Sequence, residues 1–260
     1  MSDSQEIAVV TGGARGIGLA TVRRLAQDGF RVHAVDRSSE RLAQSVSTLR
    51  SEGLQVSGTA IDVTDEHAVV SVFEALSRVD AVVAAAGIFT VAPVDKMTVE
   101  EFRQVVDVNL TGVFLTIREA VRRMQPGGRI VAVSSRSVLG DMSLAHYIAS
   151  KAGIVGLVRA VAVEMRSRLI AVNAVAPGFT DTELVRELGE ERIAAMSARE
   201  PRGRPADPAE IAHAIAFLVS PQTQFITGQT LFVDGGKSLG GSATAVLRAA
   251  RRAPIASIEV

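Results

Sequence analysis

The chain of 260 residues contains no cysteine, which excludes disulfides, thiol nucleophiles and thiolate metal centres. Its four histidines (His33, His67, His146 and His213) are scattered without ligand spacing, so no metal site is expected. No apolar run approaches the roughly 20 residues of a membrane span. The opening MSDSQEIAVV lacks the charged-then-apolar pattern of a secretory signal. Net charge is also missing: 28 Lys and Arg balance 28 Asp and Glu, which gives no basic surface for nucleic acid or an anionic membrane. A cytoplasmic protein with neither partner is the expectation. Two further scarcities are informative. Tyr147 is the only tyrosine, and Lys151 is one of three lysines, with Lys96 and Lys237, among basic residues that are otherwise arginine.

What is present is a large apolar fraction, 47%, enough for a substantial core. The apolar residues come in alternating strand-like and helix-like stretches. Ile7–Thr11 is a β-branched run followed at once by Gly12-Gly13-Ala14-Arg15-Gly16-Ile17-Gly18. Leu19, Ala20, Val22, Leu25 and Ala26 then recur at helical spacing until Asp28-Gly29. Strand, glycine turn and helix in this order let backbone N–H groups approach a pyrophosphate at the positive end of a helix. A second strand, Arg31–Val35, ends at Asp36, where a carboxylate is placed to accept hydrogen bonds from an adenosine ribose.

The alternation continues to the end of the chain. Helices are expected over 38–51, 65–78, 98–124, 144–157, 180–200 and 207–219, with strands at 55–61, 79–85, 129–133, 169–175 and 230–233. This order predicts an α/β fold, a single-domain doubly wound parallel sheet of about seven strands with helices on both faces. Residues 1–236 form the dinucleotide-binding and catalytic domain in this reading, and 237–260 a C-terminal extension that is small-residue and arginine-rich.

The chemistry concentrates between Ser134 and Lys151. Tyr147 and Lys151 are four apart and share one helix face. An ammonium there is expected to lower the phenol pKa from about 10 towards the working range. Ser134 and Ser135, at the end of strand 129–133, bring hydroxyls that can hold a substrate oxygen beside the phenol.

These residues together resemble the short-chain dehydrogenase/reductase family, and the resemblance covers Ile7 to about Gly236. It implies a Rossmann-like fold, a nicotinamide cofactor and hydride transfer to or from a secondary alcohol or ketone. Gly12, Arg15, Gly16, Ile17 and Gly18 are similar to the family's cofactor turn, and Asp62 with Val63 to its adenine-contacting pair. Ala86 and Gly87 end the fourth strand on the cofactor side. Pro177, Gly178, Thr180 and Thr182 resemble the segment at the nicotinamide end, and Asp234-Gly235-Gly236 the closing motif. Asn109 resembles the catalytic asparagine that holds a water on the proton path. Tyr147 and Lys151 resemble the acid–base pair that also touches the cofactor.

Two departures from the family pattern stand out. Ala84 replaces a structural asparagine, so local hydrogen bonding should be lost. The family serine lies thirteen residues before the tyrosine, which points to Ser134, whereas its strand-end position points to Ser135. The strand fixes direction, so Ser135 is the expected catalytic serine. Asp36 favours NAD, while Arg15 and Arg37 offer guanidiniums to the phosphate of NADP, which stays open. The pocket wall, over 138–146 and 179–199, with Leu139, Met142, Leu144, Phe179, Leu184 and Met196 beside Asp141, His146 and several arginines, suits a mainly apolar alcohol or ketone with a polar handle. Apolar outer faces on helices 102–120 and 152–163, with the family's habit of pairing them, imply a homotetramer. A non-catalytic nucleotide-binding regulator and a related isomerase or dehydratase are the rival classes.

Overall fold

The computed structural model describes residues 5–187 and 189–240. Seven strands form one parallel sheet in the order β3-β2-β1-β4-β5-β6-β7. They are β1 (Ile7–Thr11), β2 (Arg31–Asp36), β3 (Val56–Ala60), β4 (Ala81–Ala84), β5 (Arg129–Val133), β6 (Ala171–Pro177) and β7 (Thr230–Val233). Every residue of β1, β4, β5 and β6 is buried, as expected of central strands covered on both faces. The edge strands β3 and β7 are more open.

The helices are α1 (Gly16–Gln27), α2 (Ser39–Ser51), α3 (Glu66–Glu74), α4 (Val99–Val106), α5 (Gly112–Arg123), α6 (Ala145–Glu164), α7 (Glu183–Arg186), α8 (Glu190–Ser197) and α9 (Pro208–Val219). They divide between the sheet's two faces. Ala8 and Val10 of β1 point to one core with Leu25, Leu42, Leu49 and Ile215, under α1, α2 and α9. Val9 points the other way, to Phe73, Ile117, Ile154 and Val158 under α3, α5 and α6. The strand alternation therefore feeds two cores, and the sheet is doubly wound. Helix α6 has the length and mean hydropathy (1.2) to cross a membrane, yet it packs on β5, β6 and α4 as a core helix.

The expected helix 98–124 is divided. Between α4 and α5 the backbone widens into a π-helical turn, Asp107–Thr111. Asn109 lies inside it, fully buried, so one extra residue in the turn directs its amide inward. The segment expected as one helix over 180–200 is two short ones, α7 and α8. Of the C-terminal extension, Lys237–Leu239 is a 3₁₀ turn. Asp234 holds it by accepting the N–H groups of Gly236 and Ser238. Residues 241–260 lie outside the described part.

Strand order reverses beside β1, where β2 lies on one side and β4 on the other, and the crevice beyond their ends is the place where such sheets bind ligands. The two strand tips touch there. Thr11 pairs with Ala84, and its hydroxyl accepts the N–H groups of Ala85 (3.2 Å) and Ala86 (3.3 Å). Ala84, where the family has asparagine, is fully buried in apolar surroundings. The Thr11 hydroxyl supplies hydrogen bonding at this junction. Gly12 has φ +69°, and a β-carbon on it would come within 2.9 Å of the Ala86 backbone. Gly12→Ala should therefore force the tips apart and cost about 1–3 kcal/mol. Thermal unfolding should show a fall in Tm of several degrees. An unchanged Tm would mean that the tips have room to part.

Candidate active site

Five of the expected residues converge at the ends of β4 and β5. Strand β5 delivers Ser134 and Ser135 in succession, and their side chains go different ways. Ser134 is buried, and its Oγ donates to the backbone carbonyl of Lys151 at 2.9 Å. Ser135 Oγ accepts the Ser137 N–H at 3.1 Å, and its hydroxyl acts on the Tyr147 phenol, working to lower its pKa. Ser135, and not Ser134, is thus the serine beside the tyrosine. The loop to α6 absorbs the difference in spacing.

Tyr147 and Lys151 occupy successive turns of α6. Lys151 is buried, and its Nζ donates to the Val133 carbonyl at 2.8 Å. It lies 5.7 Å from the centroid of the Tyr147 ring, within cation–π range. Burial lowers its pKa from the usual lysine value to about 8. The phenol behaves differently from the sequence expectation. Burial raises its pKa above the usual value, and the Ser135 hydrogen bond opposes this without reversing it. The helix spacing brings the amine near the ring, but the amine is turned to the Val133 carbonyl. In this state Tyr147 is an acid that keeps its proton at neutral pH.

The Asn109 amide is fully engaged. Its Oδ1 accepts the Ile88 N–H at 2.8 Å, and its Nδ2 donates to the Ile88 carbonyl at 3.0 Å and to Ser150 Oγ at 3.3 Å. Ser150 Oγ in turn donates to the Tyr147 carbonyl at 2.7 Å. The asparagine therefore ties the loop after β4 to the helix carrying the tyrosine. Gly87 makes room for this: a β-carbon there would lie 3.2 Å from Asn109 Oδ1 and 3.5 Å from Lys151 Nζ.

Across the crevice is the glycine turn. A β-carbon on Gly18 would fall 1.9 Å from the Gly12 carbonyl oxygen, so helix and turn fit only without a side chain. Helices α2, α3, α4 and α9 begin with side-chain caps from Ser38, Asp65, Thr98 and Asp207. Helix α1 has none; Arg15 precedes it in extended conformation. Its first N–H groups are thus open to an external anion, and the turn fits a dinucleotide pyrophosphate. Ile17 packs into the first core. Thr182 rests its methyl beside Gly16, where a β-carbon would meet it at 3.1 Å. Thr180 Oγ1 donates to the Gly178 carbonyl at 3.0 Å. Pro177 ends β6, and a β-carbon on Gly178 would lie 2.8 Å from the Asp234 Cα.

At the tip of β2 the Asp36 carboxylate is fixed by the N–H groups of Ala14 (3.1 Å) and Ser38 (3.0 Å). Arg37 is exposed and 3.9 Å from Asp62. Asp62 accepts from the N–H and hydroxyl of Thr64, and the backbone bond chiefly holds its carboxyl below the usual range. Val63 is buried against Gly112, where a β-carbon would approach it to 2.7 Å.

Three contributors escape sequence reasoning. Phe89 meets the Tyr147 ring edge-on, with centroids 5.1 Å apart and planes at 84°. Thr90 hydrogen-bonds His146, and Ser150 links Asn109 to α6. Only Ser150, lying between Tyr147 and Lys151, carries a positional signal. A cleft of about 310 Å³ between α1, α7 and α9 lies behind the glycine turn, away from Tyr147.

Comparison with known proteins gives concordant findings. A family model described as enoyl-(acyl carrier protein) reductase matches residues 12–238. The cis-4-hydroxycyclohexanecarboxylate dehydrogenase of Sinomonas cyclohexanicum is 40% identical over 241 residues, covering 90% of this chain and 96% of its own. The 3-oxoacyl-(acyl-carrier-protein) reductase FabG of Vibrio cholerae is 38% identical over 238 residues, covering 89% and 96%. A crystal structure of the actinorhodin polyketide ketoreductase with NADPH superposes with a TM-score of 0.86 at 33% identity, covering 91% and 98%. Fold, crevice and relatives agree over nearly the whole chain, which belongs to the short-chain dehydrogenase/reductase family and transfers hydride between a nicotinamide cofactor and an alcohol or ketone.

Proposed function

We propose that the chain is an NAD(H)-dependent dehydrogenase/reductase of secondary alcohols and ketones, with Tyr147 as its proton donor and acceptor. The observation that carries this reading is the convergence of Ser135 at the end of β5 with Tyr147 and Lys151 on successive turns of α6, the lysine Nζ 5.7 Å from the tyrosine ring centroid. When bound, the nicotinamide supplies or accepts the hydride. The residues do the rest. Ser135 donates to the substrate oxygen and fixes the carbonyl beside the phenol. Tyr147, held in its acid form by burial, gives its proton to that oxygen as it becomes a hydroxyl. Lys151, with a pKa of about 8, is charged at neutral pH and stabilises the phenolate left behind. In the oxidative direction the same proton returns to the phenolate. Asn109 and Ser150 keep α6 and the loop after β4 in register.

The expected substrate is an apolar ketone or its alcohol. Val91 and Val94 on the loop after β4, and Leu139 and Met142 on the loop before α6, expose apolar side chains on the two segments flanking Tyr147. The nearby Arg136 is paired with Asp141 at 3.1 Å. The relatives' names span a ring alcohol and an acyl-chain ketone, and both fit such a lining. A regulator that binds nucleotide without turnover, or an isomerase, would leave the absorbance of added NADH unchanged against a carbonyl panel.

In that assay Tyr147→Phe should abolish turnover while cofactor binding persists. Ser135→Ala should lower kcat far more than Ser134→Ala, whose hydroxyl serves the Lys151 backbone. Activity of the tyrosine variant within about tenfold of wild type, ~1.4 kcal/mol in barrier, would refute the assignment.

The preference for NAD rests on Asp36. Its carboxylate is held at the strand tip by two backbone N–H groups, ready to accept from a ribose hydroxyl and opposed to a phosphate there. Arg37 is exposed with only a long ion pair to Asp62 at 3.9 Å, and Arg15 stands at the start of α1. kcat/KM should favour NADH, and Asp36→Ala should weaken NAD and improve NADP. A wild-type preference for NADPH overturns this selector.

The oligomer is proposed to be a homotetramer. Val99, Phe102, Phe114 and Val163 are exposed on α4, α5 and α6, an apolar surface suited to pairing between copies. Light scattering at micromolar concentration should give four chains; a monomer would refute it.

A further inference from the structure

His146 has no part in the chemistry above, yet it is fully buried immediately before Tyr147. Its two ring nitrogens each have one partner. Nδ1 lies 2.8 Å from the backbone nitrogen of Tyr147, which can only donate, so Nδ1 accepts and carries no proton. The ring proton is thereby assigned to Nε2, which donates to Thr90 Oγ1 at 2.8 Å. The bond to Tyr147 answers a need of the helix. The first N–H groups of a helix have no partner within it, and Leu144, the residue before α6, offers no side-chain acceptor. His146 caps α6 from within its first turn.

The other end of the bridge reaches the loop after β4. Thr90 follows Phe89, the residue whose ring stands edge-on to Tyr147. Further along, the Ala92 N–H donates to the Ser143 carbonyl at 3.0 Å. Ser143 itself takes a left-handed conformation, φ +60°, uncommon for a residue with a side chain. The loop and the start of α6 are therefore stitched together at several points. Among these contacts, only that of His146 holds the backbone N–H of Tyr147.

We propose that His146 is a positioning residue: a neutral imidazole that fixes the Tyr147 backbone with one nitrogen and the Phe89–Thr90 wall of the substrate cleft with the other. The inference rests on the assignment of Tyr147 as proton donor. It separates two functions on one ring, and isosteric variants divide them. Asparagine puts an amide oxygen where Nδ1 stands, so His146→Asn keeps the Tyr147 bond and loses Thr90. Glutamine puts an amide nitrogen where Nε2 stands, so His146→Gln keeps Thr90 and loses Tyr147. Thr90→Val removes the wall contact at an exposed position without touching the histidine.

His146→Asn and Thr90→Val should raise KM for the ketone while kcat stays within about threefold. His146→Gln should lower kcat by about tenfold or more while the dissociation constant for NADH stays unchanged. A second readout does not need turnover. Tyr147 is the only tyrosine and the chain has no tryptophan, so the tyrosine band in near-ultraviolet circular dichroism reports this side chain alone. That band should change in His146→Gln and persist in His146→Asn. Equal kcat in the two histidine variants, or a band that His146→Gln leaves unaltered, overturns the proposal. Should the histidine variants fail to fold, Thr90→Val decides it: a loss of kcat with KM unchanged contradicts the division of labour. If wild type itself shows no turnover, the functional assignment falls, while the spectra still test the positioning.

Discussion

A lysine amine in the interior is the constraint around which this site is arranged. Lys151 is 4% exposed, and its pKa of about 8 marks a cost of roughly 3 kcal/mol for keeping the charged form there. Because the folded pKa lies below the unfolded one, that cost is present at neutral pH and fades as pH rises past 8. The structure offsets it with a reciprocal clasp. The amine donates to the carbonyl of Val133, and Ser134 on the same strand donates to the carbonyl of Lys151. Strand β5 and helix α6 are thereby locked in one register. With that register set, Ser135 faces the phenol, and the amine lies near enough to steady a phenolate when one forms.

The cofactor side is organised on a different principle, the omission of partners. Four helices of the sheet close their own N-termini with side chains, whereas α1 begins without a side-chain cap. Glycine at positions 12 and 18 lets the turn contact both β4 and its own helix at distances no side chain permits. The two halves meet where Thr11 holds the backbone after β4. The residues after that strand then lead through Gly87 and Ile88 to Asn109. The glycine turn and Tyr147 are thus joined through one shared strand pair and a short series of hydrogen bonds via Asn109 and Ser150.

Most of this architecture was legible in the chain. Seven alternations with short connections require a parallel sheet, and the glycine turn after β1 marks its ligand end. Strand direction and residue counting point to different serines, and in the structure Ser134 Oγ serves the Lys151 carbonyl while Ser135 Oγ accepts the Ser137 N–H. The π-turn was invisible, since one additional residue at Asp107–Thr111 hardly disturbs helical periodicity. The pKa of Tyr147 departs from the sequence expectation for a related reason. An i, i+4 spacing fixes the neighbourhood of an amine but not the carbonyl it turns toward, and desolvation acts on the phenol whatever the amine does. Phe89 and Thr90 carry no local pattern, because their meaning depends on a loop folding onto a helix far along the chain.

The adjacency of β1 and β4 has a bearing on how the molecule is made. Ala8 pairs with Ala81, and no strand in the sheet pairs with a hairpin partner. Each pairing must close a long loop of chain before it is rewarded, the condition that makes parallel sheets slow to assemble. During synthesis the glycine turn emerges first and waits for the chain to pass β4 before its floor exists. Tyr147 and Lys151 follow later still, and β6 and β7 join the sheet last. A chain truncated before β4 accordingly presents the Ile7–Thr11 run with one edge paired to β2 and the other unpaired, an exposed apolar edge prone to association.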